Sequence, residues 1–190
     1  MPEVQIEMPA EIAGVVVVTP TVHGDDRGYF VETYRREWLP HGREMIQGNR
    51  GDRQAGCIVG LHYHLHQADY WYVPYGRARV MLHDLRVGSP TDGATLSLDL
   101  GRRDDGTHDH RGVFIPPGVA HGFAALTDMT ITYLVDGYYN PDDELGVAWD
   151  DPDIGADWGI VEPTLSNRDQ KNPRRADLEP HLRPHWGLRT

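Results

Sequence analysis

The chain has 190 residues and a mass of 21.4 kDa, with 39% hydrophobic and 25% charged residues. This size and balance predict one folded domain with its own core, and no apolar run approaches the roughly 18 residues of a transmembrane helix. Twenty-nine acidic against 18 basic side chains give a net charge of -11, which argues against nucleic acid as a partner.

The N-terminal segment lacks the basic start and long apolar run of a secretory signal, so we expect a cytoplasmic protein without a membrane partner. Cys57 is the single cysteine. It excludes an internal disulfide and a thiolate-rich metal site, so any metal ligands have to be histidines and carboxylates.

Short runs of β-branched and aromatic residues, separated by Gly, Pro and Asp, predict an all-β chain. We expect a helical turn within 35–43 and strands at 14–20, 29–33, 44–49, 57–64, 70–73, 78–85, 95–100, 113–115, 121–126 and 130–135. Strands this short and close together predict a sandwich or barrel. From Tyr138 onward the sequence is rich in Pro, Asp and Gly, which predicts an ordered but irregular tail that wraps this barrel. We expect one domain, with its core at 14–173 and a terminal segment at 174–190.

Residues 56–76 read GCIVGLHYHLHQADYWYVPYG and contain three alternate histidines. In a strand, His62, His64 and His66 would share one face. The spacing from Gly56 through His62, His64 and Asp69 to Gly76 resembles the first motif of the cupin proteins, with Asp in place of the usual Glu. A second cupin motif is echoed by Pro116, Gly118 and His121, although Ala125 replaces its closing Asn.

The two motifs predict an all-β cupin fold, a double-stranded β-helix or jelly-roll barrel with a short irregular C-terminal tail. In such a barrel His62, His64, Asp69 and His121 could converge. Imidazoles and one carboxylate suit a divalent first-row metal such as zinc, iron, manganese or nickel. The alternative is that these histidines are hydrogen-bonded residues of the barrel wall without a metal.

A second, longer resemblance extends over residues 14–173. It is carried, in order, by DDRGYFVE (25–32), IQGN (46–49), GLHY (60–63), DLRVGSPTDG (84–93), IPPGVAHGF (115–123), TYLVDGYYNPDDELGVAWDDP (132–152) and LSNRD (165–169). On these motifs the chain resembles the deoxythymidine-diphosphate (dTDP)-4-dehydrorhamnose 3,5-epimerase family of cupin-fold homodimers. The resemblance implies an isomerase of dTDP-rhamnose and related carbohydrate metabolism that acts on a dTDP-sugar and needs no cofactor.

Epimerisation beside a ketone needs a base, an electrophile that holds the enolate oxygen, and an acid on the opposite face of the sugar. The resemblance implies that His62 is the base, that Asp169 orients it and that Tyr133 is the acid. It implies substrate contacts at a further set of positions, which are Arg27, Phe30, Glu32, Gln47, Asn49, His121 and Tyr139.

Three positions depart from the family pattern. Val59 stands where the family has an arginine, His64 where it has a glutamine, and Asp69 where it has a lysine that helps hold the enolate oxygen. Loss of an oxyanion donor costs about 3 kcal/mol unless it is replaced. Since His64 and Asp69 are also metal-ligand candidates, we hypothesise that a metal polarises the carbonyl instead. If His62 were a ligand too, it would not be free to act as the base.

Three classes of function follow from these patterns. The first is a nucleotide-sugar epimerase or isomerase, and the second is a metal-dependent cupin enzyme, such as an isomerase or oxygenase, that acts on another small molecule. The third is a non-catalytic sugar-binding cupin, which the lost cations suggest. The resemblance and the expected open edge of an N-terminal strand together predict a homodimer.

Overall fold

The computed structural model describes residues 3–40 and 43–187. Within these ranges the chain forms strands and single 3-10 turns, and no helix is long and apolar enough to span a membrane. The strands are β1 (Gln5–Glu7), β2 (Val16–Thr19), β3 (Val22–Asp25), β4 (Gly28–Val31), β5 (Gln47–Arg53), β6 (Ile58–Tyr63), β7 (Asp69–Tyr75), β8 (Arg77–Asp84), β9 (Thr95–Arg102), β10 (His108–Asp109), β11 (Gly112–Ile115), β12 (Val119–Ala125), β13 (Met129–Val135) and β14 (Leu145–Gly146). The 3-10 turns are Arg36–Trp38, Pro141–Asp143, Asp169–Lys171, Arg175–Asp177 and Pro180–Leu182.

Two six-stranded antiparallel sheets make up the barrel. The first sheet has the order β1-β2-β11-β7-β13-β5, and the second has the order β10-β9-β8-β12-β6-β14. Strands β3 and β4 form a separate two-stranded hairpin. Two packed sheets of antiparallel strands with long crossovers are a jelly roll, so the predicted all-β fold is confirmed.

Each of the ten predicted strands overlaps an observed strand. The prediction at 44–49 was wrong about its limits, because β5 continues to Arg53 through a polar segment that pairs with β13 along its whole length. The predicted helical turn is reduced to one 3-10 turn, Arg36–Trp38, and residues 41–42 lie outside the described ranges. Sequence patterns missed β1, β3, β10 and β14, which are short and whose residues are mostly exposed or only half-buried.

The main core fills the space between the sheets. Alternate residues of facing strands supply it, including Val17, Val80, Leu82, Phe123 and Ile131. A second core lies on the outer face of the second sheet, where the C-terminal tail packs. Trp158, which is 4% exposed, anchors this tail, and its Nε1 donates a hydrogen bond to the carbonyl of Trp149 at 2.9 Å. The predicted wrapping tail therefore completes the barrel as an ordered layer.

A bulge in β6 decides which of its side chains enter the barrel. Two residues separate Val59 from His62, whereas one residue separates their partners on β12, Phe123 and His121. The extra residue shifts the alternation, so that both Val59 and His62 line the interior. Gly60 makes the bulge possible, since its φ is 115° and a Cβ there would lie 2.8 Å from the carbonyl oxygen of His121.

Candidate active site

One cavity between the two sheets brings together most of the predicted site residues. His62 and His121 reach it from the second sheet, and Asp69 and Tyr133 reach it from the first sheet. His64 lies just after β6 and lines the same cavity. The base and the acid implied by the family resemblance therefore occupy opposite walls.

His62 is paired with the carboxylate implied by the resemblance. Its Nε2 lies 2.6 Å from Oδ1 of Asp169, which is 3% exposed and lies on a 3-10 turn of the tail. Ser166 donates a second hydrogen bond, of 2.9 Å, to Oδ2 of the same carboxylate. Burial alone would raise the pKa of Asp169, but hydrogen bonds from His62 and Ser166 outweigh it and hold the pKa below its ordinary value. Asp169 is therefore a carboxylate that orients the imidazole.

Tyr133 faces the cavity from β13, beside Trp71 on the neighbouring strand, with ring centroids 6.5 Å apart. Its pKa is raised, first by burial and then by the negative charges of Asp69 and Glu144. The phenol is therefore protonated at neutral pH and has a proton to donate.

A second group of polar residues lies deeper in the cavity. Single ligand atoms of His64, Asp69 and His121 all lie within 4.8 Å of one another, and the three residues are 5%, 3% and 5% exposed. Nδ1 of His64 donates to the carbonyl of Asp143 at 2.7 Å, and Nδ1 of His121 donates to the carbonyl of Val119 at 2.9 Å. Each ring therefore keeps Nε2 available as a ligand atom, the arrangement that backbone carbonyls impose on metal-binding histidines.

The structure corrects two expectations about the histidine stretch. His62 lies outside the three-residue cluster, and its Nε2 contacts Asp169 instead. His66 does not share the inner face and is exposed, since β6 ends at Tyr63 and the chain turns. The turn is held by Asp143, whose carboxylate accepts hydrogen bonds from three successive backbone N–H groups of residues 65–67.

Of the predicted substrate-binding residues, His121 lines the cavity and the others do not. Gln47 and Asn49 are half-buried on β5 beside the cavity, with Nε2 of Gln47 donating to Oδ1 of Asn49 at 3.0 Å. Arg27, Phe30 and Glu32 belong to the β3–β4 hairpin or its end, and none of them lines the cavity that contains His62.

The hairpin lies on the outer face of the first sheet. Tyr29 packs against the ring of His110 at 4.8 Å between centroids, and His110 is hydrogen-bonded to the hydroxyl of Tyr72 at 2.9 Å. Tyr72 follows the cavity residue Trp71 on β7, so its side chain points to the opposite face. Tyr139 is 69% exposed and also lies outside the cavity lining.

Sequence patterns missed two charged residues of the cavity wall, Arg53 and Glu144. Arg53 could have been found from the alternation of side chains along β5. If Gln47, Asn49 and Gly51 face inward, the next inward-facing residue is Arg53. It was missed because β5 was predicted to stop at Asn49. Glu144 follows the 3-10 turn Pro141–Asp143, whose position depends on contacts distant in sequence.

Comparisons with known proteins agree with this architecture. The profile of the dTDP-4-dehydrorhamnose 3,5-epimerase family matches residues 9–177. The dTDP-4-dehydrorhamnose 3,5-epimerase of Mycobacterium tuberculosis is 35% identical over 188 residues, covering 93% of this chain and 91% of the relative.

Two crystal structures superimpose over almost the whole chain. One is NovW, a 4-keto-6-deoxy sugar epimerase from the novobiocin biosynthetic gene cluster of Streptomyces spheroides, with a TM-score of 0.88 and 32% identity over 97% of this chain and 94% of that chain. The other is a dTDP-6-deoxy-D-glucose-3,5-epimerase of Legionella pneumophila in complex with dTDP-4-keto-L-rhamnose, with a TM-score of 0.87 and 29% identity over 96% of this chain and 98% of that chain. The chain belongs to the dTDP-4-dehydrorhamnose 3,5-epimerase family.

Proposed function

We propose that this chain is a cytoplasmic, single-domain epimerase of a nucleotide-linked 4-keto-6-deoxy sugar, and that His62, Asp169 and Tyr133 carry out its proton transfers. The observation that supports this best is the 2.6 Å contact between His62 and a buried carboxylate in a cavity that Tyr133 closes on the opposite wall. The family's relatives and structural neighbours act on or bind such sugars.

His62 removes the proton next to the ketone. With Nε2–H donating to Asp169, the neutral ring carries its lone pair on Nδ1, and this atom is the base. The negative charge of Asp169 stabilises the imidazolium that forms. The carbon loses its proton, the electron pair moves onto the ketone oxygen, and an enolate results.

Tyr133 returns a proton from the other side. Because it belongs to the first sheet and His62 to the second, a sugar ring between them presents one face to each. Protonation from the face opposite to deprotonation inverts the carbon. Reprotonation by His62 itself would restore the starting configuration.

This mechanism predicts that proton exchange and inversion can be separated. Wild-type enzyme in deuterium oxide is expected to incorporate deuterium into dTDP-4-keto-6-deoxy-glucose and to form the inverted product. Tyr133→Phe, which keeps the ring but removes the acid, is expected to retain exchange while the rate of inversion falls by about 10²- to 10⁴-fold. Mass spectrometry measures exchange, and proton NMR measures configuration.

The outcomes discriminate among the function classes. Wild-type protein that binds the sugar nucleotide without exchange would be the non-catalytic binding module. Equal loss of exchange and inversion in Tyr133→Phe would contradict the role of this residue as the acid alone. Tyr75, which is 65% exposed and lies outside the cavity, is the matched control for a tyrosine-to-phenylalanine change.

A homodimer completes the binding site in this proposal. The hairpin that carries Arg27 and Phe30 lies on the outer face of its own first sheet, with Phe30 65% and the side chain of Arg27 89% exposed. Exposed aromatic and cationic side chains that do not line the His62 cavity of their own chain suit contact with a second copy. The hairpin of each subunit then covers the nucleotide end of its partner's site.

Mixed dimers test the exchange of hairpins. His62→Asn and Arg27→Ala subunits are expected to be poorly active as separate homodimers. In a heterodimer of the two, the intact His62 cavity receives the intact hairpin, so one of two sites is expected to work at the wild-type rate. The heterodimer is purified by means of a different tag on each subunit. If its activity does not exceed the mean activity of the two parent homodimers, the hairpin does not act across an interface.

The cluster of His64, Asp69 and His121 supports a second candidate, in which the epimerase is metal-assisted. Two imidazoles and one carboxylate form the donor set of a zinc, iron, manganese or nickel site with open positions. Burial lowers the pKa of His121 to about 4, so this ring is neutral at pH 7, as a ligand must be. A metal held by these residues would supply a Lewis acid for the ketone oxygen, in place of the lysine that the family has at position 69.

This arrangement leaves His62 free. Because three ligands assemble without it, metal binding and general base catalysis do not compete for the same imidazole. The same three residues would also bind the metal of a metal-dependent cupin enzyme that acts on another small molecule. That alternative predicts metal-dependent turnover of the other molecule and no deuterium exchange into a nucleotide keto-sugar.

A further inference from the structure

One arginine at the wall of the active-site cavity forms no salt bridge with the acidic residues that the structure describes. Arg53 is the last residue of β5, is exposed, and lines the cavity with His62 and Tyr133. Its Nη1 donates to the carbonyl of Asp52 at 2.8 Å, and no salt bridge joins it to any carboxylate in residues 3–40 and 43–187. By contrast, Arg50 on the same strand is paired with Asp52 at 3.0 Å.

The alternation of β5 directs Arg53 into the cavity. Asn49, Gly51 and Arg53 lie opposite Tyr133, Ile131 and Met129 on β13, so all three face inward. The guanidinium lies back over Gly51, where a Cβ would come within 3.3 Å of Nη1. The missing side chain at 51 therefore gives the arginine room to lie along the cavity wall.

The two acidic side chains of the same cavity have polar partners other than Arg53. Asp69 accepts hydrogen bonds from Gln67 and Trp71, each at 3.0 Å. Glu144 is paired with Arg168 at 3.4 Å. Among the described residues that line the cavity, Arg53 is the one lysine or arginine. Since a guanidinium has five N–H donors and one is used, several remain for an anionic ligand.

We propose that Arg53 binds the diphosphate of the sugar nucleotide at the cavity mouth, and so selects diphosphate-linked substrates over free sugars. The planar guanidinium offers paired donors that match two phosphate oxygens. Val59, on the opposite sheet, lines the same cavity and contributes no charge, so among the described lining residues of this chain the positive charge for the diphosphate comes from β5. The inference rests on the proposed function, because it takes the ligand to be a nucleoside diphosphate sugar.

Calorimetric titration with dTDP and with thymidine isolates the contribution of the diphosphate. For wild-type protein we expect dTDP to bind more tightly than thymidine. Arg53→Gln is expected to weaken dTDP binding by about 10- to 100-fold and to leave thymidine binding within about twofold. Added NaCl should weaken dTDP binding of the wild type more than that of Arg53→Gln.

Arg50→Gln is the matched control, since it removes an arginine from the opposite face of the same strand. We expect it to bind dTDP like the wild type, and thermal melts of both variants check that β5 is intact. If Arg53→Gln and the wild type bind dTDP equally, the inference is overturned while the proposed epimerase stands. If the wild type catalyses exchange into a keto-sugar that lacks the diphosphate as fast as into the nucleotide sugar, the diphosphate is not selected. If wild-type protein binds no nucleotide, the proposed substrate class itself fails.

Discussion

The His62→Asn variant is expected to lose about 10²- to 10⁴-fold in the rate of solvent deuterium exchange and of epimerisation, because it removes the base and leaves no titratable group in its place. Asparagine is close to histidine in reach and can still donate to Oδ1 of Asp169, which His62 contacts at 2.6 Å. The loss should therefore appear in kcat with the fold unchanged. Stopped exchange assays followed by mass spectrometry measure it.

His66→Asn is the control for this change. His66 lies four residues further along the chain, is exposed, and does not line the cavity. We expect it to exchange at the wild-type rate. A His62→Asn enzyme that exchanges within about threefold of the wild type would assign the base to another residue.

The partner carboxylate makes a related, pH-dependent contribution. The pKa of Asp169 in the folded chain lies below its ordinary value of 3.8. The stability that its ionised form contributes is therefore fully present above that value and is lost as the pH falls through the lower, folded pKa. The difference in melting temperature between wild type and Asp169→Asn should accordingly be largest near neutral pH and shrink below about pH 4.

The second large effect concerns the metal. Protein prepared without an affinity tag is expected to contain about one divalent first-row metal ion per chain, and His64→Gln is expected to contain almost none. Glutamine can still donate to the carbonyl of Asp143, so the turn after β6 keeps its support while a ligand atom is lost. If the metal polarises the ketone, exchange should fall by about 10²- to 10³-fold with it.

Metal analysis by plasma mass spectrometry, with His66→Gln as the matched control, decides this prediction. Chelation of the wild type should reduce exchange to the level of His64→Gln, and re-addition of the bound metal should restore it. Metal-free wild-type protein with full activity would show that His64, Asp69 and His121 are a hydrogen-bonded wall and that the enolate oxygen is held by other groups.

Local sequence patterns predicted much of the fold. Runs of β-branched residues bounded by Gly and Pro located ten strands, because both propensity and turn formation act over a few residues. The strands that were missed, such as β14, are held by pairing rather than by their own composition. The end of β5 was misplaced for the same reason, since its polar half is extended by its ladder with β13.

The candidate site was predictable only where a family motif carries it. His62 and Asp169 are 107 residues apart, and they are in contact in the structure, as the resemblance implies. Motif spacing predicted the candidate metal ligands, but it could not separate His62 from His64. Alternation gives both histidines the same face, and the contact of His62 with Asp169 in the tail is visible only in the tertiary structure.

By itself, the amino-acid sequence determined an all-β jelly roll, the family of the chain, and a histidine-rich strand in its barrel. The tertiary structure decided that His62 pairs with Asp169 while His64 lies with Asp69 and His121. It also decided the outer position of the β3–β4 hairpin and the entry of Arg53 into the cavity. The physical reason is that the alternation of side chains along a strand is a local property. Which of the two alternating sets faces the interior of the barrel depends on the neighbouring strands. In β6 the set of inward-facing residues depends on a bulge at Gly60, where the close approach of the β12 backbone leaves no room for a side chain.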